Sequence, residues 1–158
     1  MLLDVMSGMP VSVMVATAGR MPHIQTSQNI YVADFLPGRQ AARRSAIVAC
    51  NGGNGMVYQS LAEGTPVLGF PFNMDQYYVM EAAERKGAGR LIRSGTITDK
   101  KAKAVVKEML DNHSYRTAAK QMQNRIQAID AKKEFEKVLN TILQLNNSEI
   151  LFVKQAVL

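Results

Sequence analysis

The chain has no tryptophan, a single cysteine and only two histidines, and its 13 acidic residues are outnumbered by 19 basic ones. Each shortage excludes something. One cysteine, Cys50, rules out an internal disulfide and fits a reduced, cytoplasmic setting. His23 and His113 have no Asp or Glu at metal-ligand spacing, and no DxD-type carboxylate cluster is present. Both histidines therefore read as surface residues, and no metal or other cofactor is expected. No apolar run approaches the roughly 18–20 residues of a membrane span. The opening "MLLDVMSGMP" carries an early Asp and no basic leader, unlike a signal peptide. The acidic deficit leaves a net charge of +6, which suits phosphate-bearing ligands. The basic residues Arg39, Arg43, Arg44, Lys100, Lys101, Lys103 and Lys107 fall on patterns of exposed helix face, where solvation alone accounts for them. No aromatics interleave with them as a nucleic-acid motif would require.

What is present is an alternation. "VSVMVAT" (11–17), "NIYVADF" (29–35), "SAIVAC" (45–50), "TPVLGF" (65–70) and "AGRLI" (88–92) are short, apolar and rich in β-branched residues, as buried strands are. Helical patterns cover 39–44, 55–63 and 75–86, the last two stopped by Gly64 and Gly87. Strands separated by helices predict a parallel sheet covered on both faces. The last third is helical. Thr98 can cap a helix with Ala102, Val105, Val106, Met109 and Leu110 on one face. Ser114 can cap a second, with Tyr115, Ala118, Met122, Ile126 and Ile129. Phe135, Val138, Leu139, Ile142 and Leu143 form a third stripe at helical spacing. The tail, "NNSEILFVKQAVL", fits strand or helix. "MLLDVMSGM" resembles the end of a helix where an α/β domain would open with a strand, so a first strand is expected to be missing.

The stretch "CNGGNGMVYQSLAEGTPVLGFPFNMDQ" (50–76) carries the chemistry. A strand ends at Cys50, and Gly52, Gly53 and Gly55 allow a tight turn with close backbone approach. The following helix points unpaired N–H groups and the positive end of its dipole back at the turn. That arrangement suits a phosphate or diphosphate; equally, the glycines need only permit the turn. It is not a P-loop, because Met56 follows Gly55 where Lys is required. It is not G-x-G-x-x-G, because position 58 is Tyr. Cys50 reads as a small buried residue, with no partner that would stabilise a thiolate.

The same stretch, extended through "YYVMEAAERKGAGRLI", resembles the nucleotide-sugar-binding half of GT-B glycosyltransferases of the UDP-glucuronosyl/glucosyltransferase and macrolide glycosyltransferase kind. Their pattern is H-G-G-x-G-T-x-x-E-A-L, then G-x-P, a proline-ended strand and D-Q. Here it reads from Asn51 to Leu61, then Gly64-Thr65-Pro66, Pro71 and Asp75-Gln76. The resemblance implies a fold and a set of roles. The fold is α/β: a Rossmann-like three-layer sandwich with a parallel sheet, the C-terminal half of GT-B, with a helical C-terminal third. Asn51, Gly52, Gly53, Asn54 and Gly55 would bind the diphosphate of a UDP- or TDP-sugar, Gln59 the ribose, and Asp75 and Gln76 the sugar. "FLPG" (35–38) stands where the family has W-x-P-Q, so Phe35 and Leu36 would receive the base. Asp75 can instead be a helix N-cap, and Phe35 a core residue.

Several family positions differ. Asn51 replaces the histidine that touches phosphate, Met56 a threonine, Gln59 the glutamate that binds both ribose hydroxyls, and Gly38 the glutamine of W-x-P-Q. The resemblance further implies that the acceptor and the catalytic base belong to an N-terminal half outside these 158 residues. No catalytic residue is therefore expected here. A domain is expected over 1–145, with 146–158 as a tail. Its partners would be the nucleotide-sugar donor and the N-terminal acceptor domain or a partner subunit, with a homodimer also open. The competing readings are a natural half-subunit of a two-chain transferase and a non-catalytic nucleotide-sugar-binding module.

Overall fold

Short β-branched segments joined by helices leave little choice of pairing, since each helix returns the chain to start the next strand in the same direction. The computed structural model describes residues 2–20 and 27–149, with side chains at all of these except 94 and 144–149. Strands β1 (Val13–Ala16) and β2 (Ile30–Ala33) pair in parallel, Val13 opposite Ile30. Strands β3 (Val48–Cys50), β4 (Val67–Gly69) and β5 (Gly89–Leu91) form a second parallel group with β4 in the middle, Val67 lying opposite both Val48 and Gly89. All five expected strands are present, each shorter than its apolar run. Among the described residues no ladder joins the two groups.

The helices are α1 (Leu2–Ser7), α2 (Gly38–Arg44), α3 (Asn54–Ala62), α4 (Met74–Arg85), α5 (Asp99–Asp111), α6 (Ser114–Gln127) and α7 (Ala131–Glu149). No described helix is long and apolar enough to cross a membrane. Alternation along β4 separates two layers of helix. Leu68 joins Met6 and Met9 from the first segment, Val105, Val106 and Met109 of α5, Tyr115 of α6 and Ile92. Its neighbours in β4 turn the other way, where Met80 of α4 is fully buried. A Cβ added to Gly69 would lie 2.6 Å from Met80 Sδ, and one added to Gly89 would lie 3.5 Å from Met80 Cε. The sheet is thus sandwiched between helical layers, as expected.

At the amino ends of the strands, Arg116 of α6 acts as a clamp. Its Nη1 donates to Gly64 O (3.0 Å) and Thr65 Oγ1 (2.9 Å), and its Nη2 to Ser45 O (3.1 Å). Thr65 Oγ1 in turn donates to Ala42 O (2.8 Å). Arg90 of β5 links α4 and α5 through Glu84 (3.0 Å) and Glu108 (2.8 Å), and Tyr115 of α6 donates to the same Glu108. Thr98 caps α5 as expected, accepting from Lys101 N. Ser114 does not cap α6: it opens the helix, and its N–H is taken by Asn112 Oδ1 (3.0 Å).

The described chain divides into two compact units, Met1–Asn124 and Arg125–Leu158. In the second, α7 has the expected periodicity, but Phe135, Val138, Leu139, Ile142 and Leu143 are all exposed. Residues 150–158 of the tail lie outside the described residues, as does His23.

Met80→Ala tests the α4 layer. It empties a fully buried slot and should cost about 2–5 kcal/mol, seen as a lower midpoint in chemical denaturation followed by circular dichroism.

Candidate functional site

Three loops leave the carboxyl ends of β2, β3 and β4, the edge at which open parallel sheets take ligands. The β3 loop is the tightest. Gly52 has φ +87°, and a Cβ there would lie 2.6 Å from Met80 Cγ and 3.1 Å from Gln76 O. Only glycine combines that dihedral with that approach. Gly53 is different. Its φ is −61°, and an added Cβ would meet only Asn51 Oδ1, at 3.3 Å.

The hydrogen bonds of this turn redistribute the expected donors. Asn51 Oδ1 accepts from Gly53 N (3.0 Å), and Cys50 Sγ accepts from Gly52 N (3.3 Å). Two of the three glycine amides are thus engaged within the loop. No side chain caps α3, so the first-turn N–H groups of Asn54, Gly55 and Met56 face outward without helical partners. Burial pushes the Cys50 thiol above its ordinary value, against a weaker pull from the Gly52 N–H. A protonated, half-buried thiol is no nucleophile, in line with the packing role read from sequence.

The β4 loop delivers α4. Asn73, not Asp75, caps this helix: its Oδ1 accepts from Gln76 N at 3.0 Å. Gln76 is buried, and its Oε1 accepts from Phe72 N (3.1 Å). Asp75 is exposed in the first turn and makes no hydrogen bond or ion pair within the described residues, so its carboxylate remains available beside the positive end of α4. The Asp-Gln pair thus divides, one side chain facing solvent and the other fastened into the loop through Oε1. The arrangement is a variant of the capping box. The pattern Asn73-Met74-Asp75-Gln76 was available in the sequence to indicate it.

The β2 loop carries Phe35, 79% exposed, with Leu36 half-buried behind it. Phe35 is therefore not a core residue. The loop is braced from β1: Ala18 N donates to Asp34 O (2.8 Å), and Thr17 Oγ1 to Asp34 Oδ1 (2.9 Å). Ala18 adopts φ +53° to make these bonds. Gln59 of α3, the expected ribose residue, packs on Gly38, directly after this loop. Next to Gly38, Arg39 Nη2 pairs with Glu63 Oε1 (2.6 Å), the residue that closes α3, and links α2 to the end of that helix. Beyond the residues singled out from sequence, Phe72, Met74 and Met56 are large apolar side chains exposed around Asp75 and the α3 N-terminus.

Residues 1–142 match the family described as "Erythromycin biosynthesis protein CIII-like, C-terminal domain". The chain belongs to this family. The erythromycin CIII-like domain is the C-terminal half of a GT-B glycosyltransferase fold, so the resemblance seen in the glycine turn and the Asp-Gln pair holds over most of the chain. A "PGL/p-HBAD biosynthesis glycosyltransferase" of Mycobacterium tuberculosis is 46% identical over 120 residues, which is 76% of this chain and 28% of that protein. Among solved structures, "Spinosyn Forosaminyltransferase SpnP" superposes with a TM-score of 0.77 at 19% identity, over 88% of this chain and 37% of that one. "Spinosyn Rhamnosyltransferase SpnG complexed with thymidine diphosphate" gives 0.74 at 20% identity, over 80% and 36%. The chain thus spans under two fifths of the length of each.

The two neighbouring glycines should separate on substitution. Gly52→Ala forces a positive φ and a clash, and should cost about 2–4 kcal/mol. Gly53→Ala, with an ordinary φ and one soft neighbour, should stay within about 0.5 kcal/mol of the parent. Paired urea titrations check this, and equal losses would contradict the described turn.

Proposed function

We propose that this chain is the donor-binding half of a glycosyltransferase: it binds a nucleoside-diphosphate sugar, UDP- or TDP-linked, for transfer to a hydroxyl acceptor. The observation that supports this best is the uncapped first turn of α3 at the carboxyl end of β3, together with an exposed Asp75 in the first turn of α4 after β4 and an exposed Phe35 in the loop after β2. Anion, hydroxyl and aromatic face are the three chemistries that a nucleotide sugar presents. In this reading Asn54, Gly55 and Met56 donate backbone N–H groups to the diphosphate, Asn51 adds its Nδ2, and Gly52 and Gly53 shape the turn. Phe35 stacks on the base with Leu36 at its edge. Gln59 meets the ribose. Asp75 accepts from hydroxyls of the sugar, and Gln76 contributes Nε2 while its Oε1 holds the loop.

An acceptor site and a base to deprotonate its hydroxyl belong, in this proposal, to the part of the architecture that these 158 residues do not include. Domain 1–145 would then act with an N-terminal acceptor domain or a partner subunit, in the cytoplasm. The chain alone should bind nucleotide weakly and transfer nothing, since positioning and general-base catalysis supply much of the rate in such reactions.

Calorimetric titration with UDP, TDP and their hexose conjugates tests the proposal. Binding of a nucleoside diphosphate at up to millimolar concentration is expected; no binding would overturn the reading. Gly53→Val places a branched side chain beside the phosphate turn, and should weaken every nucleotide about tenfold or more with an unchanged circular dichroism spectrum. Asp75→Ala removes a charged acceptor, for which a loss of about 1.5–3 kcal/mol is typical. That loss should fall on the sugar conjugates and spare the bare diphosphates. Equal loss on both would show that Asp75 does not read the sugar.

A further inference from the structure

The glycine turn contains the chain's two Asn-Gly pairs, Asn51-Gly52 and Asn54-Gly55. Asn-Gly is the dipeptide in which a backbone nitrogen most readily attacks the preceding side-chain amide, because no Cβ crowds that nitrogen and the glycine dihedrals are free. The two pairs differ in what holds them. Asn51 Oδ1 accepts from Gly53 N (3.0 Å), and Gly52 N donates to Cys50 Sγ (3.3 Å). Gly52 is also wedged against Met80 and Gln76 at φ +87°. Asn54, by contrast, is exposed, and its side chain makes no hydrogen bond within the described residues. The Gly55 N–H lies in the first turn of α3 without a helical partner, and a Cβ added to Gly55 would meet nothing within 4 Å. Turning the Asn54 side chain onto the Gly55 nitrogen rotates the chain ahead of it and costs one backbone bond, from Val57 N to Gly53 O (3.1 Å).

We infer that Asn54-Gly55 is a site of spontaneous deamidation, and that the modified turn carries a carboxylate where a diphosphate would sit. The Gly55 amide gives its proton to hydroxide, and its nitrogen attacks Asn54 Cγ. The N–Cγ bond forms, the Cγ–Nδ2 bond breaks, and Nδ2 leaves as ammonia. Water then opens the cyclic imide at one carbonyl or the other, giving aspartate or isoaspartate at position 54. Nothing is oxidised or reduced. Either product places one negative charge in the first turn of α3. The positive end of the helix favours that charge, so the aspartate form keeps the fold. The same charge competes for the first-turn N–H groups and repels a phosphate brought to them. Isoaspartate also adds a methylene to the backbone just ahead of Gly55 and Met56 and so displaces their N–H groups. The modification stands on the turn alone; its effect on nucleotide rests on the donor-site reading above.

Peptide mapping by mass spectrometry tests the modification on the full chain, held in mildly alkaline buffer, with isoaspartate separated from aspartate by chromatography. Conversion at Asn54 should run about tenfold or more faster than at Asn51, the scale of the extra hydrogen bond that Asn51 must give up. Equal rates, or a faster Asn51, would overturn the inference. Gly55→Ala crowds the attacking nitrogen and touches nothing else. It should slow conversion at Asn54 severalfold and leave Asn51 as it was; an unchanged rate at Asn54 would show that the Gly55 nitrogen is not the nucleophile. Asn54→Asp fixes one of the two products. Its calorimetric titration with UDP should give about tenfold or more weaker binding than the parent, from like charges brought together, while its urea midpoint stays at or above the parental one. Unaltered UDP affinity in this variant would overturn the effect on the site. Failure of the parent chain to bind UDP would remove the donor-site reading and that effect together, whereas the peptide map decides the modification by itself.

Discussion

The side chain of Met80 holds the loops of the candidate site against the sheet. It lies in a slot bounded by Gly52, Gly69 and Gly89, in contact with a loop and two strands at once, with no exposure to solvent. The slot exists because those three positions lack a Cβ, and interiors packed at crystal-like density leave no slack for one. Through it, α4 settles close to the sheet, and two features follow. The turn at Gly52 is wedged between Met80 and Gln76 and has only one course. The N-terminus of α4, capped by Asn73, emerges beside that turn and carries Asp75 to the same edge. An unbranched thioether suits such a slot better than a β-branched or aromatic side chain.

Much of this was legible in the sequence, because the signals involved are local. Five apolar runs gave five strands, and Gly64 and Gly87 end α3 and α4 with φ near +70°. What was not legible depended on contacts between distant segments. Nothing in "FLPG" says whether Phe35 faces core or solvent; that is decided by the bracing of Asp34 from Thr17 and Ala18. The glycine amides read as donors to a ligand, yet Asn51 and Cys50 engage two of them, a competition visible only once side-chain rotamers are fixed. Asp75 was read as a possible cap of its helix, yet the chain enters two residues earlier and Asn73 takes that place. The stripe of α7 shows the limit of periodicity: 3.6-residue spacing fixes which face is apolar, not whether anything in the same unit covers it.

Several readings of one residue type also separated in the structure. Of the glycines in the turn, Gly52 is required by dihedral and approach, whereas Gly53 and Gly55 have ordinary or open surroundings on the protein side. Among the amide side chains, Asn51, Asn73 and Gln76 each use an oxygen to accept a backbone N–H, which leaves the nitrogens as their donors. The edge is therefore richer in donors than its residue list suggests, a bias that suits anionic and hydroxyl-bearing groups and disfavours cations.

The Arg116 clamp has a consequence for how such domains diversify. One guanidinium fixes the entries to β3 and β4 from the amino side, where none of the candidate site residues lies. The segments at the opposite edge can then change length and composition without loosening the strands that carry them. Recombination at that edge alone, exchanging the β2, β3 or β4 connections between relatives, would transplant ligand preference onto an unaltered scaffold. A TM-score of 0.77 at 19% identity shows the same fold kept while most side chains differ.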